Sequence, residues 1–427
     1  MSSEKPKIPT LQKLIGFLKK LIIPALIIMP ISLLISLYLA EKLVRFSNPQ
    51  LTYNEAKKLS PQIYKKSDYL PFELEPNTET THILHTYEST YHIRINSLGY
   101  RGSEFTIKKP ANEFRILMLG DSMTFGFGVE EDDSLTTQLE KRLNRYIAEN
   151  GIRDKNIKII NAAFADGKSP DTFYLYLKNK GLDLNPNLII VNHFIINDIR
   201  DIDENSWDDL DSENLPIKIS SKIHTIDGKY NRLKNEYQSW RYAFPVLKNS
   251  HLWILFATTL ETKSPATVAK IKAVLRLKDA PPQVSEEESF ECLFSSTCTE
   301  RMKAILEKYF KIIDGTDRLT KSKNIPYFVA IMTANPQIKD IVEGLKEVTC
   351  TEDNLDQCQP QKVIKNYLEE KNIPFLDTLS YLAEPGYEKY FFPKDGHATK
   401  KGVTKYTDAF YDYLVEDIDI LKIIPTR

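Results

Sequence analysis

The chain reads as an α/β protein built on a doubly wound parallel sheet. Three observations predict it. Short, unbroken apolar runs recur from Phe114 onward, amphipathic stretches of helical period lie between them, and most of the runs end in a polar or Gly-bearing turn. Runs that are apolar on both faces are what strands need when helices cover both sides of a sheet. The strand candidates are Phe114–Leu119, Ile157–Asn161, Leu188–Phe194, Tyr327–Met332 and Phe375–Asp377. Helices are expected at about Leu135–Glu149, Pro170–Lys180, Thr299–Lys321 and Gln361–Glu370, with a closing one at about Lys401–Val415.

Composition narrows the class. The 427 residues are 42% hydrophobic and 27% charged, which is ordinary for a folded protein and argues against wholesale disorder. A net charge of −1 leaves no basic footprint for nucleic acid.

Residues 21–40 carry no ionisable side chain. A helix of that length, at about 1.5 Å per residue, matches a hydrocarbon core of about 30 Å. Pro24 and Pro30 are tolerable in such a helix. Lys5, Lys7, Lys13, Lys19 and Lys20 precede it against one Glu4, which predicts a cytoplasmic N-terminus (1–20). A cleaved signal peptide would need small residues at its cleavage positions, and Tyr38 before Ala40 serves that badly. The expectation is a single-pass anchor in the cell (inner) membrane, with the body of the chain on the extracytoplasmic, periplasmic side.

Residues 41–92 show no clear period and read as a stalk leading to a domain over 93–420. The Gly-rich segment Ile95–Gly102 reads as a turn docked on that domain's edge. Between the third and fourth strands lie too many residues for one crossover, so about 200–320 reads as an insertion. It holds an acidic run, Asp201 to Glu213, expected to be a solvated loop. A hairpin with Asp227-Gly228 at its tip and an aromatic-rich helical segment near Trp240–Thr262 follow.

The four cysteines form two close pairs, Cys292 with Cys298 and Cys350 with Cys358. Zinc sites favour shorter spacings, so two local disulfides in an oxidising compartment are the preferred reading. Other connectivities stay open. No metal or cofactor is expected.

In an open parallel sheet, ligands sit at the carboxyl ends of the strands. Gly120-Asp121-Ser122 follows the first strand, Asn161 to Gly167 the second, and Ile195-Ile196-Asn197-Asp198 the third. Asp395-Gly396-His397 follows the fifth by way of a longer segment. His193, on the third strand, is expected to be a packed strand residue. The elbow Gly-x-Ser-x-Gly is not met, because Thr124 holds its last position. Gly126-Phe127-Gly128 lacks the Gly-Lys-Ser/Thr that a phosphate loop needs.

These blocks resemble the SGNH (GDSL-type) esterases and acyltransferases, over roughly residues 114–415. The resemblance implies a three-layer α/β/α sandwich with a flavodoxin-like five-stranded sheet. It puts the nucleophile on Ser122, the second-block glycine on Gly167 and the third-block asparagine on Asn197. Asp395 and His397 supply the last block in its shorter form. There are two departures: the third block has Ile195 where glycine is common, and one extra residue separates Asn161 from Gly167.

The chemistry points to the same residues. A serine hydroxyl needs a base, which His397 supplies, and Asp395 would hold the imidazole's tautomer. The N–H groups of Ser122 and Gly167 and the amide of Asn197 would receive an oxyanion. The expected protein is a membrane-anchored serine esterase acting on acyl esters, with an envelope glycan or lipid as the partner. Two rivals stand beside it, an O-acyltransferase that modifies an envelope polysaccharide or lipid and a catalytically silent envelope-binding module.

Overall fold

A computed structural model describes residues 11–55, 63–84, 88–164, 168–195, 197–221, 240–277, 292, 298–333, 335–342 and 362–425. It divides into two compact units, one of Met1–Glu55 with Gln238–Leu277 and one of Ala56–Tyr237 with Lys278–Arg427.

The larger unit is built on five parallel strands: β1 (Glu113–Leu119), β2 (Asn156–Asn161), β3 (Leu188–Phe194), β4 (Tyr327–Met332) and β5 (Phe375–Asp377). Their order in the sheet is β2-β1-β3-β4-β5. Every residue of β3 and of β4 is buried, as strands covered on both faces must be. The helices Leu135–Glu149, Glu300–Ser322, Lys362–Glu370 and Lys400–Asp412 each bury one apolar stripe, and Pro170–Tyr176 is buried at every residue. Burying such stripes against a sheet contributes about 25 cal/mol per Å² of apolar surface removed from water. All five expected strands are present, each within one residue of its predicted start.

The stalk expected over 41–92 is not what the chain forms there. Thr78–Ile83 and Thr90–Ile95 pair as an antiparallel ribbon, and Tyr64–Lys65 pairs with Glu73–Leu74. Ile63, Leu70, Phe72, Leu74, Leu84, Tyr91, Ile93 and Ile95 are all buried in the main core. Only one face of the ribbon carries apolar residues, and its first strand (Thr-Glu-Thr-Thr-His-Ile) has almost no pattern of its own.

The insertion is also reshaped. Asn205–Leu210 pairs with Pro216–Ser221, so half of the acidic run is a strand and not a solvated loop. Trp207 anchors it by donating its Nε1–H to the buried Asp171 at 2.7 Å. The expected hairpin with Asp227-Gly228 at its tip lies outside the described residues. Glu300–Ser322 is a helix of the sandwich itself and not part of an insertion.

The smaller unit holds the helix Leu11–Ser47, which Pro24 and Pro30 do not interrupt. Its segment Leu26–Ser47 is long and apolar enough to cross a membrane and is wholly unburied. A membrane span and a signal sequence both have this character. Residues 240–277 supply two further helices, His251–Lys263 and Pro265–Val274, around a small core of Trp240, Ala257 and Val268. Of the cysteines, Cys292 and Cys298 form a disulfide. Cys350 and Cys358 lie outside the described residues.

Candidate active site

β1 ends where Gly120 must be a glycine, since a Cβ there would lie 2.2 Å from the Thr124 hydroxyl oxygen. Asp121 then caps a single helical turn, Ser122–Phe125, by accepting the Met123 N–H at 3.0 Å. Gly126 closes the turn at φ +89°, a conformation that suits glycine. The result holds Ser122 at the carboxyl end of the sheet's second-innermost position, beside β3.

The histidine arrives on a tight loop. Phe391 and Ala398 bridge antiparallel, the Phe392 N–H donates to His397 O at 2.8 Å, and the Gly396 N–H donates to Phe392 O at 2.9 Å. Gly396, at φ +84°, makes the reversal. The helix Lys400–Asp412 follows, with Gly402 seated on the carbonyl of Tyr390.

These two pieces, 275 positions apart, meet. His397 Nε2 lies 2.8 Å from Ser122 Oγ. On its other side Nδ1 lies 2.5 Å from Asp395 Oδ1, and the Asp395 side chain is 1% exposed. A buried carboxylate on Nδ1 fixes Nε2 as the acceptor facing the serine. Ser122, His397 and Asp395 therefore stand in the line that their chemistry requires.

Asn197 opens a short helical turn after β3, and its side-chain amide donates to Asp201 at 3.0 Å. That leaves the second amide hydrogen for another acceptor. Gly167 lies outside the described residues. Asp198 orders its own loop by accepting the Phe194 N–H at 2.9 Å. His193 is buried and bonded to the Tyr309 hydroxyl at 2.6 Å, and burial pushes it down to about 3, as expected of a packed residue.

Three buried carboxyls, Asp121, Asp198 and Asp201, follow the ends of β1 and β3. Burial pushes Asp121 up to about 6, although the charge of His397 pulls the other way. Burial and then the Glu204 charge push Asp201 up to about 7. Asp198 rises well above the usual range through burial and the neighbouring Asp121.

Three supports were not legible in the sequence. Phe127 packs its ring against His397, with centroids 4.7 Å apart, and against His82 and Tyr91 of the ribbon. Glu88, at the ribbon's tip, accepts the N–H groups of Lys394 and Asp395. Arg101 is buried and donates to the carbonyls of Phe125, Gly126 and Val129, clamping the chain that follows Ser122. Of these only Phe127 had a signal, the two glycines beside it, both at positive φ.

No protein-family model matches the sequence, and no curated protein matches it. Solved structures do align with it. A GDSL-like lipase from Bacteroides thetaiotaomicron aligns at 11% identity over 71% of this chain and 89% of that one, with a TM-score of 0.29. An acetyl-xylooligosaccharide esterase from Geobacillus aligns at 14% identity over 69% and 91%, with a TM-score of 0.32. A two-domain esterase active on acetylated mannans aligns at 10% identity over 74% of this chain and 50% of its own, with a TM-score of 0.34. The strand order β2-β1-β3-β4-β5 and the hydrogen-bonded Ser122–His397–Asp395 line stand where the sequence blocks at Gly120–Ser122 and Asp395–His397 lead one to expect them.

Proposed function

We propose that the chain is a serine esterase that cleaves short O-acyl esters through an acyl-enzyme. The observation that carries this reading is the 2.8 Å contact between His397 Nε2 and Ser122 Oγ. His397 accepts the hydroxyl proton as Oγ attacks the ester carbonyl, and Asp395 stabilises the imidazolium that forms. The proton passes to the departing alkoxide, which leaves as an alcohol. Water then attacks the acyl-serine, giving its proton to His397, and the carboxylic acid leaves as Ser122 Oγ takes that proton back.

The oxyanion of each tetrahedral intermediate needs fixed donors. The Ser122 N–H opens a helical turn, where amides lack an intrahelical partner. The free hydrogen of the Asn197 amide and the Gly167 N–H complete the set in this reading. Each donor is worth about 10²–10³ in rate.

The apolar helix and the lysines before it support an anchored enzyme whose catalytic unit lies outside the cytoplasm. Acylated envelope glycans or lipids are then the substrates within reach. The test is hydrolysis of p-nitrophenyl acetate by the purified protein and by Ser122→Ala, with and without an oligosaccharide acceptor. Hydrolysis by the intact protein alone supports the esterase. Acetyl transfer that outpaces hydrolysis moves the reading to an O-acyltransferase, and equal inactivity of both proteins moves it to a binding module.

A further inference from the structure

Residues 240–277 fold onto the end of the N-terminal helix, and the joint is a specific one. Glu41, the first ionisable side chain after the apolar run, accepts the backbone N–H groups of His251 at 3.0 Å and Leu252 at 2.9 Å. It also accepts the Ser250 hydroxyl at 2.7 Å. These amides open the helix His251–Lys263, where orphan donors and the positive end of the macrodipole favour a carboxylate. Further contacts continue the seam: the Gln50 N–H donates to His251 Nδ1 at 2.9 Å, and the Tyr53 N–H donates to Lys248 O at 2.9 Å. The second helix thus begins level with Glu41, one residue past the apolar run 21–40.

The composition of that helix is foreign to a surface in water. From Leu252 to Leu260 no side chain is ionisable. Ile254 and Ala257 are buried, while Phe256 is 54% exposed. Leu252, Leu255, Phe256 and Thr259 recur at the spacing of one helix face, and none of them is buried. Val274, on the next helix, is 83% exposed. Around this apolar face the balance of charge is basic. Residues 240–277 hold Arg241, Lys248, Lys263, Lys270, Lys272 and Arg276 against a single acid, Glu261.

We infer that the helices His251–Lys263 and Pro265–Val274 form a foot on the membrane surface. Its outward face lies in the headgroup–acyl boundary of the leaflet from which the anchor emerges, and its cations sit on anionic phospholipid. Two arguments select lipid as the occupant. The foot's first helix is bonded at its start to Glu41, one residue beyond the apolar run, which sets that start at the boundary where the anchor leaves the bilayer. An apolar stripe bearing Leu and Phe inside a basic surround is also the composition that partitions there. This inference rests on the reading of residues 21–40 as an uncleaved anchor. It gives part of the insertion a task separate from ester chemistry.

The test is photo-crosslinking of the full-length protein in nanodiscs of mixed phosphatidylglycerol and phosphatidylcholine. p-Benzoylphenylalanine replaces Phe256 or, separately, Leu34, and the irradiated peptides are weighed. The expected result is lipid adducts at both positions, with phosphatidylglycerol at 256 enriched above its mole fraction. Lys270→Glu with Lys272→Glu is expected to lower that enrichment about two-fold or more. Adducts at 34 but none at 256, or a protein adduct at 256, overturn the foot and leave the anchor standing. Adducts at neither position overturn the anchor and the foot together. Adducts at 256 that simply follow the lipid composition overturn the anionic preference.

Discussion

Glu88 accepts the backbone N–H of Asp395 at 2.9 Å and that of Lys394 at 3.0 Å, from the tip of a ribbon some three hundred positions earlier in the chain. The carboxylate that orients His397 is therefore itself held in place from outside its own loop. Releasing the loop lets the imidazole drift, and displacements of about 1 Å can cost about 10² in rate. Glu88→Ala is expected to lower kcat about 10- to 100-fold with KM nearly unchanged. Glu88→Gln, which keeps an accepting oxygen, is expected to recover much of it. Steady-state kinetics with p-nitrophenyl acetate check this, and an unchanged kcat in the alanine variant would remove Glu88 from the account.

Arg101 donates to three carbonyls of the turn that carries Ser122, at 2.9 Å to Phe125, 2.5 Å to Gly126 and 2.6 Å to Val129. Arg101→Met keeps the packing of the stem but takes the guanidinium from Val129 O, and leaves Phe125 O and Gly126 O only the longer 3.3 Å bonds from the Asn161 amide and the Val129 N–H. An orphaned buried group costs about 1–3 kcal/mol, so the variant is expected to lose about that much in urea denaturation. A loss below about 1 kcal/mol would mean that water or another side chain replaces the guanidinium.

Gly402 allows the closing helix to sit on the histidine loop. A Cβ at this position would stand 2.0 Å from Tyr390 O, a backbone atom that cannot swing aside. Gly402→Ala must displace either the helix or the loop. Overpacking of this kind typically costs about 1–3 kcal/mol. The expected outcome is a lower Tm together with a lower kcat, because one contact supports both the fold and His397. A variant with wild-type Tm and kcat would contradict this.

Asp121 gives a pH signature of known sign. Its folded value of about 6 lies above the ordinary aspartate value of about 3.9. Between those two values the folded chain keeps a proton that the unfolded chain has released. Stability from this group is therefore present at low pH and is lost as pH rises through about 6. Asp121→Asn retains an oxygen for the Met123 N–H and cannot titrate. Urea midpoints measured from pH 4 to 8 are expected to fall more steeply with rising pH in the wild type than in the variant. Parallel curves would show that Asp121 does not carry this linkage.

The sheet was readable because its strands are apolar on both faces. β3 and β4 stand out as unbroken runs, and the polar turns after β1 and β3 mark the rim where Ser122 and Asn197 lie. Ser122, Asp395 and His397, which meet through hydrogen bonds, stood out for a chemical reason, since a nucleophile, a base and a carboxylate are what the proposed reaction needs. The residues that hold them did not stand out. Thr78–Ile83 pairs with its neighbour through backbone hydrogen bonds, which leave little trace in side-chain order, so a core ribbon looked like a stalk. Glu88 and Arg101 act on backbone groups from far away in the chain, and no local pattern reports such a contact. The segment 240–277 looked like part of one insertion because proximity in sequence was the only guide. Its partner, Glu41, lies some two hundred positions earlier.

The most direct test of the central claim is labelling of the purified protein with a fluorophosphonate, read by peptide mass spectrometry. The account predicts one adduct, on Ser122 Oγ, absent from Ser122→Ala and formed at least about 10³-fold more slowly in His397→Ala. An adduct on another serine, or equal labelling of Ser122→Ala, would show that the hydroxyl facing His397 is not the nucleophile.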